Sequence, residues 1–175
     1  MKTNFLKGFI LLALSAPLFF GCNSNEPTPD SETSLVGEWN VTSVDYSGTT
    51  VTEYLNQTYS VDYTGVGSNI DASYTFNENK SFTGSGTYDA TLTITSDGSA
   101  PYQETVEDLG FVVAGTWKID GDQITLTSNN ESSSATIVKL TETEMELKVS
   151  EQQIQSIEGT TITITVELLM KLSKN

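Results

Sequence analysis

Apolar and polar positions alternate with a period of two along much of the chain from Trp39 to Leu172, the pattern of half-buried strands. The clearest run is the last. Ile162, Ile164, Val166, Leu168, Met170 and Leu172 alternate with Thr161, Thr163, Thr165, Glu167 and Lys171, and only Leu169 interrupts the outer face. Met145, Leu147 and Val149 alternate with Glu144, Glu146 and Lys148, and Val113, Gly115, Trp117 and Ile119 with Thr116 and Lys118. Ile124 and Leu126, and Leu92 and Ile94, sit among threonines in the same way. Threonine on the outer face is itself a strand signal, being β-branched and polar. The pattern predicts strands near 35–46, 71–77, 81–88, 89–96, 111–119, 123–128, 134–140, 143–149 and 160–172, with a further strand or short helix in 51–63. No segment has the period of a helix of three turns.

Turn residues punctuate these runs. Asp120-Gly121 between Ile119 and Ile124 reads as a tight hairpin. Asn77 to Lys80, Asp97-Gly98 and Asn129-Asn130 close others, and 97–110 reads as the longest polar connection. The expected fold is all-β: a single antiparallel up-and-down β-barrel, which removes exposed sheet edges. About eight strands leave room inside for side chains or one small ligand. A two-sheet β-sandwich is the competing architecture.

The first residues follow another rule. Met1 to Lys7 is short and cationic, and Gly8 to Gly21 is uncharged and mostly apolar, too short for the ~20 residues of a spanning helix. This is the layout of a secretory signal. It ends in Leu18-Phe19-Phe20-Gly21-Cys22 and resembles a bacterial lipoprotein signal, in which cleavage precedes the cysteine and the cysteine is acylated. Phe19 departs from the usual leucine at that place, whereas Gly21 fits. The resemblance implies a signal over 1–21, lipid attachment at Cys22 and a membrane partner reached through the acyl chains. Two or more chains hold a protein stably on a bilayer. The segment 22–33 is polar, carries Pro27 and Pro29 and reads as a flexible tether. Residues 34–175 then form one domain. Asn23 after the cysteine favours the outer membrane of a bacterial envelope.

Composition narrows the chemistry. The chain has 8 basic and 23 acidic residues, no His and one Cys, for a net charge of −15. All the basic residues are lysines. Loss of Lys2 and Lys7 with the signal leaves the remainder more acidic still. Without His there is no Ser-His-Asp triad and no His-ligated zinc. A lone Cys makes no internal disulfide. Few lysines and no Arg give no basic stripe for nucleic acid. Asp120 and Asp122 lack the downstream ligands of a Ca²⁺ loop. Glu104, Glu107 and Asp108 cluster, but nothing there raises a carboxyl pKa for paired-carboxylate catalysis. No metal, cofactor or catalytic residue is expected, and the protein reads as a non-enzyme.

Two Gly-x-Trp triplets, Gly37-Glu38-Trp39 and Gly115-Thr116-Trp117, lie at strand starts or interiors. With Tyr74 to Phe82, Gly115 to Leu126, and Ile137 to Leu147, they give a chain that resembles the lipocalin-like domains of bacterial envelope lipoproteins. The resemblance covers nearly all of 34–172 and implies a small barrel on a lipid tether. The lipocalin arginine that covers the first-strand Trp is missing, as are lipocalin disulfides. Gly37, Trp39, Gly115 and Trp117 are read as the barrel's structural motif, with both indoles buried at its base.

Tyr74, Phe76, Phe82 and Tyr88 share one parity across a predicted hairpin, with Gly84 and Gly86 between them. Small residues among aromatics open a cavity for a small, largely apolar ligand; alternatively the rings simply fill the core. The expected function is ligand binding in the barrel interior or mouth. The other reading is a structural or protein-interaction module with a filled core.

Overall fold

The computed structural model describes Ser34–Asn175. Its eight strands are β1 (Gly37–Tyr54), β2 (Gln57–Phe76), β3 (Ser81–Ser96), β4 (Tyr102–Asp120), β5 (Gln123–Ser128), β6 (Glu131–Leu140), β7 (Glu144–Ile157) and β8 (Thr160–Lys174). Each pairs antiparallel with the next, and β8 returns to pair with β1, closing a barrel. The up-and-down barrel is therefore the fold, and the sandwich is not. The proposed signal, Cys22 and the tether lie outside the described residues.

The strands run longer than the pattern predicts. The 51–63 segment holds no helix. It is the tip of the β1–β2 hairpin, turned at Leu55 and Asn56, both with positive φ. The two predicted strands 81–88 and 89–96 are one strand, β3, with a register shift against β4 between Tyr88 and Ala90. The 97–110 connection is mostly strand as well. Only Asp97–Pro101 turns, and β4 begins at Tyr102, pairing Tyr102 with Ile94 and Glu104 with Leu92. Its polarity disguised it, because the outward Gln103, Thr105 and Glu107 face water. Asp120-Gly121 makes the expected hairpin, Gly121 taking a φ of 61°.

One end of the barrel is solid. Trp39, Phe76, Phe82, Ile124, Met145 and Leu172 are at most 2 % exposed and form one cluster with Trp117, Ile119 and Leu35. Phe76 stacks on Phe82 at 6.2 Å between ring centres, and Trp117 meets Phe76 edge-on, also at 6.2 Å. Such pairs add to the area they bury. Each indole N–H has a partner, as a buried polar group requires. Trp39 donates to the Leu35 carbonyl at 2.7 Å and Trp117 to the Asn77 carbonyl at 3.2 Å. Lysines cover the tryptophans where an arginine was missing. Lys174 Nζ lies 5.1 Å from the Trp39 ring centre and donates to the Ser34 carbonyl, and Lys80 Nζ lies 4.1 Å from that of Trp117. Gly115 is required beside Trp117, because a Cβ there would collide with the Thr127 carbonyl oxygen of β5.

The other end is incomplete. β2 has 20 residues and β5 has 6, so at about 3.3 Å per residue β5 is roughly 45 Å shorter. β5 pairs with β4 only from Thr116 to Asp120, and β6 pairs with β7 only between Met145 and Lys148. Above these levels β4 and β7 keep a ladder on one side only. The barrel is thus closed below and slotted above. Bulges bend the long strands into this shape. Asp89 pins two of them, accepting from Asn69 Nδ2 at 2.6 Å and from the Asp108 amide at 2.9 Å, and both of those residues have positive φ. These two hydrogen bonds hold the Asp89 carboxyl below the usual range.

Every ladder of the ring lies within residues 37–174, and the core cluster runs from Leu35 to Leu172. Ser34–Asn175 therefore carries its own fold. Phe82→Ala should lower its stability by about 3–5 kcal/mol in urea unfolding, the cost of an aromatic cavity. Val112→Ala, at a site 90 % exposed on the outer face, should change it by less than about 0.5 kcal/mol.

Candidate functional site

Among the described residues the candidate ligand site is the interior above the core. Side-chain parity can be followed around it by register. Tyr46 pairs with Gly65 and Leu168, Gly48 with Tyr63 and Val166, and Thr50 with Val61 and Ile164. Paired residues share a face, so Ile164, Val166 and Leu168 face inward with Tyr46. β8 has a neighbour on both sides, yet all its residues from Thr160 to Met170 are only partly buried. Inward apolar side chains on a doubly paired strand stay accessible only where the space before them is unfilled. At the base the inward Met145 and Leu172 are 1 % and 2 % exposed. The packed core thus gives way to an open cup.

The cup is not uniform. On the β3–β4 side Ala90, Leu92 and Val106 are buried, as a patch apart from the base cluster. On the β7–β8 side Ile162, Ile164 and Val166 are only partly buried, and Glu151, Gln153 and Gln155 share their face through the pairs Glu151–Val166, Gln153–Ile164 and Gln155–Ile162. Here the usual pattern of β7 is inverted. The glutamines face in, and Ile154 faces out at 62 % exposure.

Tyrosines line the bore at several heights: Tyr74 pairs with Trp39 of the base, Tyr46 with Leu168, and Tyr63, through Gly48, stands level with Val166. The Tyr46 and Tyr88 hydroxyls hydrogen-bond one another. Tyr74 stacks on Phe111 at 5.4 Å, and its ring occupies the space that Gly84 leaves. Tyr63 lies across Gly48 and donates to the Thr165 carbonyl at 2.9 Å. Burial pushes the Tyr63 and Tyr74 phenols up to about 12, and raises Tyr46 and Tyr88 as well. For Tyr46 the neighbouring Tyr88 adds to the rise. Burial also raises the Glu151 carboxyl.

Of the four aromatic residues singled out from the sequence, the structure divides two from two. Phe76 and Phe82 belong to the base core at 2 % and 1 % exposure. Tyr74 and Tyr88 are only partly buried and pack against that core. Gly84 makes no gap, since the Tyr74 ring fills it. Gly37 opens β1 beside the Lys174 side chain, and Trp39 and Trp117 are buried. Of the expected acidic cluster, Glu104 turns inward on β4 while Glu107 and Asp108 stay on the surface. Sequence reasoning missed Tyr46, Tyr63 and Glu151. The inverted 151–155 alternation was the available signal for the last. Among the described residues no three acidic groups converge to hold a metal.

The chain matches the family model for a lipocalin-like domain over residues 35–147. It belongs to that family, and the closed eight-stranded ring agrees with it. No curated protein and no solved structure matches the chain. The family match ends within β7, so the rest of β7 and all of β8 lie beyond it.

The buried phenols make an alkaline prediction. An unfolded tyrosine titrates near about 10, below the folded values of Tyr63 and Tyr74. The stability tied to their protonated forms is complete below about pH 10 and is lost as pH climbs towards about 12. The melting temperature followed by near-ultraviolet circular dichroism should fall across that window. The fall should be shallower in the Tyr46→Phe/Tyr88→Phe double variant.

Proposed function

We propose that this protein is a lipid-anchored envelope lipoprotein that holds a small, largely apolar ligand in the open half of its barrel and performs no chemistry on it. The observation that carries the binding reading is the incompletely buried inward row of β8, Ile162, Ile164 and Val166. Ligand sites combine apolar walls with a few placed polar groups, and here the tyrosine hydroxyls and the β7 amides supply them. Membership of the lipocalin-like family supports the same reading. The anchor rests on the sequence alone: a cationic start, a short apolar run and Gly21-Cys22. Acylated Cys22 would place the barrel at the bacterial outer membrane by a tether, with the acidic domain itself repelled by anionic headgroups. A second reading, an interaction module, is favoured by the free edges of upper β4 and β7, which offer unpaired backbone groups to a peptide strand.

Two measurements test these statements. Mass spectrometry of the full chain recovered from bacterial membranes should find an acylated amino-terminal Cys22; an unmodified thiol there overturns the anchor. Ser34–Asn175 should bind N-phenyl-1-naphthylamine, a neutral fluorescent apolar probe, and Val166→Trp should weaken that binding by about tenfold by filling the cup. Binding unchanged by the tryptophan would place the probe elsewhere and remove the lumen from the account.

A further inference from the structure

The charges around the cup all have one sign. None of the six lysines among the described residues lies on its wall. Lys80 and Lys174 cover the tryptophans at the base. Lys139 and Lys148 pair on the outer surface with Glu144 at 2.5 Å and Glu167 at 2.7 Å, and Lys118 and Lys171 are exposed. The inward face carries Glu151 at mid-height on β7 and Glu104 near the mouth on β4. Glu151 is half-buried and has no cation or hydrogen-bond partner among the described residues. It stands directly across from Val166, within the apolar row. A carboxylate drawn partly out of water and left unpaired costs free energy that a bound cation restores.

We propose that the cup selects its ligand by charge, taking an amphiphile with an apolar chain and a protonated amine, held by Glu151, and rejecting fatty acids and other anionic amphiphiles. This rests on the binding reading above and goes further by naming the head group. The chain lies along Ile162, Ile164 and Val166. An ammonium group donates to the Glu151 carboxylate and to the Gln153 side-chain oxygen. A carboxylate head in the same place meets Glu151 with no lysine or arginine to offset the repulsion. Burial already disfavours the charged form of Glu151 in the empty cup.

The experiment displaces N-phenyl-1-naphthylamine from Ser34–Asn175 at neutral pH with decylamine, decanol and decanoate, which share a chain length and differ in head-group charge. Decylamine should displace at a concentration about tenfold below decanoate, with decanol between them. Glu151→Gln should abolish the advantage of decylamine over decanol and leave decanol unchanged. Glu38→Gln, an exposed change on the outer face, should leave the ranking intact and so separate Glu151 from the general field of an acidic protein. If the probe and all three alkyl compounds fail to bind, the binding reading itself falls. If they bind but decanoate equals or beats decylamine, or Glu151→Gln leaves the order unaltered, charge selection by Glu151 falls while the binding reading stands. Circular dichroism of the variant confirms that its barrel is intact.

Discussion

Everything in this barrel depends on the ladder between its first and last strands. β1 and β8 pair from Trp39 with Lys174 to Tyr54 with Thr160, almost the whole length of both. That contact joins the two ends of the described domain, and without it the sheet has two long edges of unpaired backbone N–H and C=O groups. It also brings Lys174 to Trp39, so that the charge covering the base and the indole beneath it come from opposite ends of the domain. The entropy of closing so large a loop is recovered only when the ring is complete, which makes the fold a cooperative unit.

The ring is made of unequal staves, and the inequality separates a closed base from a slotted upper half. Short β5 and β6 complete the wall only at the base, where two tryptophans and two phenylalanines fill the bore. Above them six long strands continue as a curved sheet with a slot between β4 and β7. The base contributes stability, and the cup contributes accessible apolar surface that a solid core would bury. Tyr46 and Tyr88, whose hydroxyls bond one another, pack against the core at the junction of the two.

Much of the fold was legible in the sequence because side-chain alternation and turn chemistry act locally. The runs at 160–172 and 143–149, the Asp120-Gly121 hairpin and the two Gly-x-Trp triplets gave the strands, the order and the barrel. The long hairpin tips were less legible. Residues 51–63 and 102–110 alternate among polar types, so a strand with water on one face and an open cup on the other looks like a loop. The candidate site was legible only in part. Parity grouped Tyr74, Phe76, Phe82 and Tyr88 correctly on one face, but not their heights along the bore, and height decides whether a ring fills the core or borders the cup. Tyr46 was hidden because the bulge at Thr42 and Ser43 shifts the register of β1. Glu151 was hidden because a glutamate in a polar run reads as surface until its partner Val166 is known to face inward.

The central claim is a solid base beneath an open cup, and thiol labelling tests it directly. Ser34–Asn175 contains no cysteine, so single cysteines report their own positions. Met145→Cys, Ile164→Cys and Thr163→Cys would probe the core, the cup and the outer face of β8. With a small maleimide the thiols at 163 and 164 should react in the folded protein, and the one at 145 only on unfolding. With a bulky polymer-linked maleimide the thiol at 163 should still react while that at 164 is shielded by the surrounding wall. Equal protection of 145 and 164 from the small reagent would mean that the barrel is filled throughout, and would contradict the account.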